Sequence, residues 1–239
     1  REDRDIAASV KETLEKKGIV FRMNAKVQSV KHEEDKAIVA FTDLQTNGVF
    51  ELDAEAVLLA TGRRPNTGGL NLEAAGVEVD VRGAIIVDEY LKTTNPNIRA
   101  VGDVKGGLQF TYISLDDYRI VREDLFGDKE RKTNDRNPVS YSVFIDPPLA
   151  RIGLNEEEAC KQNLDIIVKK LPAMAIPRAK TLGEMDGLLK AIIDKNTGKI
   201  LGCMLFAPDS GEVINTVAIA MKAGLDYTFL RDFIFTHPS

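Results

Sequence analysis

Two short, mostly apolar runs that each end at a glycine constrain the fold of this chain more than any other feature. The first is AVLLA at residues 56–60, which is followed by Thr61 and Gly62, and the second leads through residues 98–101 into Gly102 and Asp103. A strand without polar side chains is typical of a parallel sheet covered on both faces, and ligands collect where such strands end. The two runs therefore predict α/β segments with binding residues directly after the strands.

The segment before the first run predicts one helix and a small antiparallel sheet. Apolar residues recur at helical spacing from residue 5 to residue 17, and Gly18 is a typical stop at a helix C-terminus. Four short stretches of strand-forming residues follow, with charged connections: 19–22, 25–34, 36–42 and 48–53. We expect them to form a meander with one face in water.

The middle of the chain is rich in turns. Proline and glycine punctuate residues 65–83, and the runs 84–88 and 98–103 predict two further buried strands. A Gly-Gly turn at 106–107 then leads into an expected helix. The polar and charged stretch 129–137 (KERKTNDRN) predicts a domain boundary.

The last hundred or so residues predict a separate α+β domain. Asn155 and Glu158 form a near-capping box at the start of a short helix, and residues 194–198 predict a hairpin turn with glycine late in the loop. The expected strands are 140–146, 149–154, 164–173, 187–194 and 200–207, and the expected helices are 155–162, 209–224 and 230–235.

Composition excludes several classes of function. The net charge is −5 with scattered basic residues, so we expect no nucleic-acid partner, and no apolar run is long enough to span a membrane. Cys160 and Cys203 have no metal-ligand or redox spacing. We expect two reduced, packed thiols of a cytoplasmic protein, with no metal site; a disulfide between them is the alternative, for which the sequence gives no support. His32 lies in a charged strand and is interpreted as a solvated surface residue.

Two candidate binding segments follow the apolar runs, and each has a plainer interpretation. Gly62 lets the backbone approach a ligand and Arg63 follows it, but a tight turn with surface arginines explains the same residues. Gly102 precedes Asp103, whose carboxylate could accept hydrogen bonds from a sugar or ribityl hydroxyl. Taken alone, Asp103 is better explained as a turn or helix-capping aspartate.

The order of these motifs along the chain is more specific than any one of them. ATGRRPN, then AVGDV about forty residues later, a helix, and an α+β domain that ends in His-Pro resemble the pyridine nucleotide-disulfide oxidoreductases. That FAD-dependent family includes glutathione reductase, dihydrolipoamide dehydrogenase and mercuric reductase. The resemblance covers essentially the whole chain and implies the later half of an NAD(P)-binding domain at 1–68, a return segment of the FAD domain at 69–133, and an interface domain at 134–239.

The resemblance also implies roles for individual residues. Asp103, after Gly102, would hold the ribityl chain of FAD, and Gly62 with Arg63 would contact cofactor. The helix that starts at Gln109, Phe110, Thr111 and Tyr112 would aim its N-terminus at the flavin. His237 would begin an HPxxxE motif and act as acid and base beside the redox disulfide of the partner subunit; a solvent-facing terminal histidine is the alternative.

The implied function is electron transfer from NAD(P)H through FAD to a redox disulfide and then to a small-molecule substrate. The chain contains neither a GxGxxG fingerprint nor a CxxxxC pair. We therefore expect a fragment, cut at both ends, that retains no FAD and does not turn over. Residues 110–121 resemble a mercuric-reductase-like branch associated with defence against reactive chlorine and hypothiocyanous acid.

A second hypothesis assigns this chain a binding role instead of catalysis. The interface domain would form a homodimer through the helix at 213–223 and the aromatic run 229–235, since such apolar surface is otherwise an aggregation hazard. A third hypothesis, a nucleotide-binding domain of another fold, is compatible with the strand before Asp103 but not favoured by the order of the motifs.

Overall fold

The computed structural model describes residues 2–237 and contains helices and strands in both halves of the chain. The helices are α1 (Arg4–Lys16), α2 (Thr111–Phe126), α3 (Glu156–Lys161), α4 (Pro177–Leu182), α5 (Ser210–Lys222) and α6 (Tyr227–Asp232). The strands are β1 (Ala25–Glu33), β2 (Lys36–Asp43), β3 (Val49–Ala54), β4 (Tyr141–Val143), β5 (Leu149–Gly153), β6 (Ile166–Pro172), β7 (Leu188–Asp194) and β8 (Ile200–Phe206).

The chain divides into two compact units. The first unit holds the described residues of Arg1–Val30, Val39–Leu52 and Pro138–Ser239, and the second unit holds Lys31–Ile38 and Asp53–Asn137. No helix within residues 2–237 has the length and apolar character needed to cross a membrane.

The first unit is built on a five-stranded antiparallel sheet of order β4-β5-β8-β7-β6. Side chains of β5 and β8 alternate between two cores, as the twofold period of a strand requires. Leu149, Met204 and Phe206 pack with Ile6 of α1 on one face, while Ile152, Cys203 and Leu205 pack with Ile214 and Val217 of α5 on the other. Because helices cover both faces, most side chains of these two strands are buried, including the charged Arg151 of β5.

Local sequence signals of the α+β domain are confirmed. Asn155 Oδ1 accepts the Glu158 amide at 2.7 Å, and Glu158 Oε2 accepts the Asn155 amide at 2.9 Å, which completes the capping box of α3. In the β7-β8 hairpin, Asp194 Oδ1 accepts the amides of Asn196 at 3.0 Å and Thr197 at 2.7 Å, and Gly198 has a φ of +70°.

The predicted meander forms, with strand order β1-β2-β3. Phe41 is buried and its ring stacks on that of Phe50 with centroids 5.6 Å apart, yet Val27, Val49 and Phe50 itself are exposed. The expectation that one face would be wet and the other buried therefore holds only around Phe41.

The runs at 19–22 and 56–60 are not strands, contrary to prediction. Val20 and Leu58 are largely exposed. An apolar run becomes a buried strand only beside hydrogen-bonded neighbours, and within residues 2–237 no strand pairs with either run. The expectation of a parallel sheet fails there for the same reason.

The runs at 84–88 and 98–103 are only partly buried, because Ile86, Val101 and Asp103 are exposed. Within the described residues they form isolated bridges, Val79 with Ile85 and Lys92 with Arg99. Ile85 and Ala100 belong to one small core with Val77. Hydrophobic burial was therefore predictable there, whereas strand pairing was not.

Two boundaries in the α+β domain also differ from expectation. The helix predicted at 230–235 is α6, which starts earlier because Asp226 accepts the Thr228 amide at 2.8 Å, and ends at Asp232 because Phe233 is extended. Helix α4 was not predicted at all, although Pro177 at its first turn and Gly183 in the left-handed region mark both of its ends.

Candidate functional site

Gly102 and Asp103 open a short 3-10 helix, residues 102–105, directly after extended Val101. Gly102 is buried with a φ of +71°, and a Cβ there would lie 3.0 Å from Ser114 Oγ, so this position strongly favours glycine. Asp103 is exposed, and in residues 2–237 its carboxylate has no hydrogen-bond or ion-pair partner. This carboxylate is therefore available to accept hydrogen bonds from a ligand.

Helix α2 presents an uncapped N-terminus nearby in the same unit. Phe110 is extended and its side chain makes no capping bond, while its carbonyl accepts the amides of Ile113 at 2.9 Å and Ser114 at 3.2 Å. No acidic residue lies in the first turn, and Thr111 and Tyr112 are exposed. The positive end of a 16-residue helix thus faces outward without an internal counter-charge.

The rings of Phe110 and Tyr112 stack at this helix start, with centroids 5.1 Å apart and planes inclined by 10°. Partial burial raises the pKa of the Tyr112 phenol above its usual value.

The glycine turn and helix α2 are joined by a buried carboxylate that sequence reasoning missed. The Gly102 amide donates to Asp117 Oδ2 at 2.6 Å, and the Asp117 side chain is fully buried. Its other oxygen pairs with Arg136, and Lys105 Nζ lies 3.5 Å from Oδ2. A signal existed, because residues 116 and 117 stand three and four positions after Ile113 on the helix face that is buried.

Two further aspartates on α2 are buried and paired. Asp116 accepts from Arg131 Nε at 2.9 Å and from Arg136 Nε at 2.6 Å. Burial opposes ionisation of Asp124, but hydrogen bonds from Arg99 and Lys92 hold its pKa below the usual range. The buried face of α2 therefore carries an acidic ladder whose counter-charges include arginines of the stretch 129–137.

The glycine of the first candidate segment has a backbone conformation that other residues avoid. Gly62 has a φ of +124° with open space around it. Arg63 Nη1 makes a long contact of 3.5 Å with the Gln109 carbonyl, which places this arginine beside the approach to α2. The structure thus brings Arg63 towards the segment that holds Phe110 and Thr111.

His237 is exposed and belongs to the first unit. The following Pro238 and Ser239, which complete the visible part of the expected motif, lie outside the described residues. His32 is exposed in β1, in agreement with its interpretation as a surface residue.

The two cysteines differ in environment. Both are free thiols, and Cys203 is buried in β8, whereas Cys160 on α3 is exposed, which corrects the expectation that both are packed. Burial raises the pKa of the Cys203 thiol to about 12.

We expect a neutral thiol reagent to label Cys160 in the native chain while Cys203 stays protected until unfolding. The reactive species is the thiolate, which burial suppresses at Cys203. Mass spectrometry of the labelled protein at neutral pH measures this, with Cys160→Ser as the control that should leave no native labelling. Rapid labelling of Cys203 in that variant would contradict the burial of β8.

Three carboxylates converge elsewhere in the first unit, from Asp3, Asp5 and Glu156, with oxygen atoms within 4.8 Å of one another. Lys190 Nζ occupies the centre of this group, 2.7 Å from Asp3 Oδ2 and 3.0 Å from Asp5 Oδ1, and it also pairs with Glu156. Lys170 adds a second cation 2.6 Å from Asp5 Oδ2. The cluster is thus an internal ion-pair network.

Two sequence profiles of one enzyme family match this chain. The profile described as "Pyridine nucleotide-disulphide oxidoreductase" matches residues 1–117. The profile described as "Pyridine nucleotide-disulphide oxidoreductase, dimerisation domain" matches residues 139–239. Together the two profiles leave unmatched only residues 118–138, which hold the later part of α2 and the charged segment after it.

Similarity to individual proteins supports the same family. The probable pyridine nucleotide-disulfide oxidoreductase RclA of Escherichia coli K12 is 50% identical over 239 residues, covering 100% of this chain and 53% of that protein. The mercuric reductase of Bacillus cereus is 35% identical over 231 residues, covering 96% of this chain and 36% of that protein. The chain thus spans about half the length, or less, of these curated relatives.

A solved structure shares the fold. The Cu(II) complex of the HOCl-induced flavoprotein disulfide reductase RclA from Escherichia coli superposes with a TM-score of 0.94 at 49% identity, covering 100% of this chain and 53% of that chain. The predicted mixed α/β fold class and the predicted similarity to a reactive-chlorine enzyme are confirmed. From the two profiles and the shared fold, the chain belongs to the pyridine nucleotide-disulphide oxidoreductase family of enzymes.

Proposed function

We propose that this chain is one half of an FAD-dependent oxidoreductase that moves electrons from NAD(P)H through FAD to a redox disulfide and on to a small-molecule substrate. The observation that carries the proposal is the Asp103 carboxylate, which has no partner among residues 2–237 and lies in a turn that a buried hydrogen bond ties to α2. The enzyme family of the chain and its similarity to a flavoprotein disulfide reductase support it.

The residues of the second unit fit FAD. An exposed, unpaired carboxylate suits the hydroxyls of a ribityl chain, and an uncapped helix N-terminus suits the electron-rich edge of a flavin. Gly102 keeps the turn free of a side chain. When bound, FAD supplies the two-electron chemistry; the protein residues bind it, orient it and place the positive end of α2 where negative charge develops.

We assign residues 1–68 to the later half of an NAD(P)-binding domain, 69–133 to the return segment of the FAD domain and 134–239 to a dimerisation domain. In this scheme Gly62, Arg63, Gly102, Asp103, Phe110 and Thr111 contact cofactor. His237 would act as acid and base for the thiols that form when the redox disulfide of the partner subunit is reduced.

A homodimer is the expected assembly. The described surface near the C-terminus exposes aromatic and aliphatic side chains, and Phe229, Phe233 and Phe235 contact one another ring to ring. An apolar patch of this kind is typical of a protein interface. As an isolated chain, the protein would act as a non-catalytic dimerisation module that retains neither FAD nor nicotinamide cofactor, because the sequence holds no GxGxxG and no CxxxxC.

We also propose a cytoplasmic location, since both cysteines are free thiols. The similarity to an HOCl-induced reductase makes an oxidant or an oxidised small molecule the preferred class of substrate, with a metal ion as the second choice on the similarity to mercuric reductase.

The first experiment is visible absorption spectroscopy with added FAD, run beside gel filtration, on this chain and on the longer natural protein proposed to carry it. We expect the longer protein to be yellow and dimeric, and this chain to be colourless and dimeric. A colourless longer protein would overturn the assignment to flavin chemistry. Stoichiometric FAD on this chain would overturn only the proposal that the missing half is indispensable.

A further inference from the structure

We propose that Asp117 is a positioning residue for the flavin site, because it fixes the Gly102–Asp103 turn against helix α2. The inference rests on the flavin-binding function proposed above and deepens it. The turn and the helix start are separate in sequence, and a cofactor that uses both needs them in one fixed geometry.

Within residues 2–237, the Asp117 carboxylate is the only side-chain group that hydrogen-bonds to the backbone of the Gly102–Asp103 turn. The Gly102 amide donates to Asp117 Oδ2 at 2.6 Å, across fifteen positions of sequence. Gly102 immediately precedes Asp103, so this bond determines where the Asp103 backbone begins. A charge-assisted hydrogen bond at a fully buried carboxylate is strong and short, as this one is.

The second oxygen of Asp117 is held in turn. Arg136 Nη2 pairs with Asp117 Oδ1, while Arg136 Nε lies 2.6 Å from Asp116 Oδ2. Arg131 also pairs with Asp116, and its Nε lies 2.9 Å from Oδ1. Arg136 therefore holds the Asp117 side chain in one rotamer. A residue that positions another group needs such a fixed orientation.

The environment of Asp117 explains why its charge is tolerated. Lys105 Nζ lies 3.5 Å from Oδ2, and Arg136 supplies the second positive charge. A buried carboxylate without such partners would cost free energy or take up a proton. With Lys105, Arg136 and the Gly102 amide as partners, the Asp117 carboxylate is fully paired. Asp103, the residue after Gly102, is left available to a ligand.

Asp124 provides a matched control on the same helix. It is also buried and carries three ion pairs, with Lys92 Nζ at 2.9 Å, with Arg99, whose Nε lies 3.2 Å away, and with Lys129 Nζ at 3.8 Å. Within the described residues, Asp124 makes no hydrogen bond to the Gly102–Asp103 turn. Asp117→Ala and Asp124→Ala should therefore destabilise the protein to similar extents, while only the first should disturb the flavin.

The test measures FAD affinity in the longer flavoprotein and amide hydrogen exchange across residues 98–105 in the same protein. For Asp117→Ala we expect the dissociation constant of FAD to rise at least about tenfold, and for Asp124→Ala to change less than about twofold. The Gly102 amide should be protected in the wild type and in Asp124→Ala, and should exchange in Asp117→Ala. Asp117→Asn keeps an acceptor oxygen and should recover part of both the affinity and the protection.

The outcomes separate the two proposals. If the wild-type protein binds FAD and Asp117→Ala binds it equally well, the positioning role is wrong and the proposed function stands. If the Gly102 amide exchanges freely in the wild type, the positioning role is wrong whatever the flavin does. If the wild-type protein takes up no FAD, the proposed function fails and the role of Asp117 falls with it.

Discussion

Lys190→Met should lower the free energy of unfolding by about 3–5 kcal/mol, because it removes the cation at the centre of a carboxylate cluster. The Lys190 side chain is 1% exposed and its Nζ lies 2.7 Å from Asp3 and 3.0 Å from Asp5. Methionine fills a similar volume, so the loss comes from uncompensated charge and not from a cavity. Urea denaturation of the native chain at neutral pH measures the difference.

Lys161→Met is the matched control. Lys161 Nζ lies 2.6 Å from Glu157 Oε1, which is as close as the pairs of Lys190, but both side chains are more than two-thirds exposed. An exposed pair contributes at most about 1 kcal/mol, so this variant should unfold within that margin of the wild type. Equal losses in the two variants would show that burial of Lys190 does not govern its effect.

The pH dependence of the free energy of unfolding should have opposite signs in the wild type and in Lys190→Met. Burial opposes ionisation of Asp5, yet hydrogen bonds from Lys170 and Lys190 lower its pKa from 3.8 to about 2. A carboxyl group with a lowered pKa stabilises the fold above its unfolded value, and the contribution disappears as the pH falls through the folded value. The wild type should therefore lose stability between about pH 4 and about pH 2.

In Lys190→Met the clustered carboxylates repel one another, so protonation of one of them reduces this repulsion and stabilises the folded state. Acidification from pH 7 towards pH 5 should stabilise this variant relative to the wild type. Denaturation midpoints across that range decide the point, and parallel curves for the two proteins would contradict the assignment of Lys190 as the neutralising charge.

Lys190 also illustrates what sequence reasoning could not supply. The run 187–194 predicts a strand correctly, but a lysine within an apolar strand is ordinarily expected to face solvent. Its partners are Asp3, which immediately precedes α1, Asp5 in the first turn of α1, and Glu156 of α3, all remote in sequence from β7. Local patterns carry no information on such charge pairing.

Where a signal was local, the prediction succeeded. The capping box at Asn155 and the hairpin turn at Asp194 depend on residues within four positions of one another, and both were predicted. The apolar runs at 56–60 and 84–88 failed as strands because strand formation depends on a neighbour, and periodicity does not reveal whether one is present.

The candidate site divides in the same way. Gly102, Asp103 and the start of α2 were recognisable from the motif, because each is defined by the residues next to it. Asp117 was missed because an acidic residue on a helix is ordinarily interpreted as exposed, although its spacing from Ile113 and Ile120 placed it on the buried face. Arg136 is the partner that makes this burial possible. It lies in the stretch 129–137, for which the sequence predicted a domain boundary and nothing more.

Gly102→Ala should destabilise the chain by about 2 kcal/mol or more and should abolish tight FAD binding in the longer flavoprotein. Gly102 has a φ of +71°, and an added Cβ would approach Ser114 Oγ to 3.0 Å. The strain can be relieved only by moving the turn or the side chain of Ser114. Moving the turn would break the bond from the Gly102 amide to Asp117 and displace Asp103.

Gly107→Ala separates backbone strain from displacement of the turn. Gly107 has a φ of +75°, nearly that of Gly102, but a Cβ there would meet nothing within 4 Å. It should therefore cost about 1–2 kcal/mol for the left-handed conformation alone and leave FAD affinity close to that of the wild type. If both variants lost FAD equally, general loosening of residues 102–107 would explain the effect. Loss in Gly102→Ala alone would locate the requirement at Gly102, where an added Cβ would approach Ser114 and where Asp117 holds the amide, because Gly107 has neither contact.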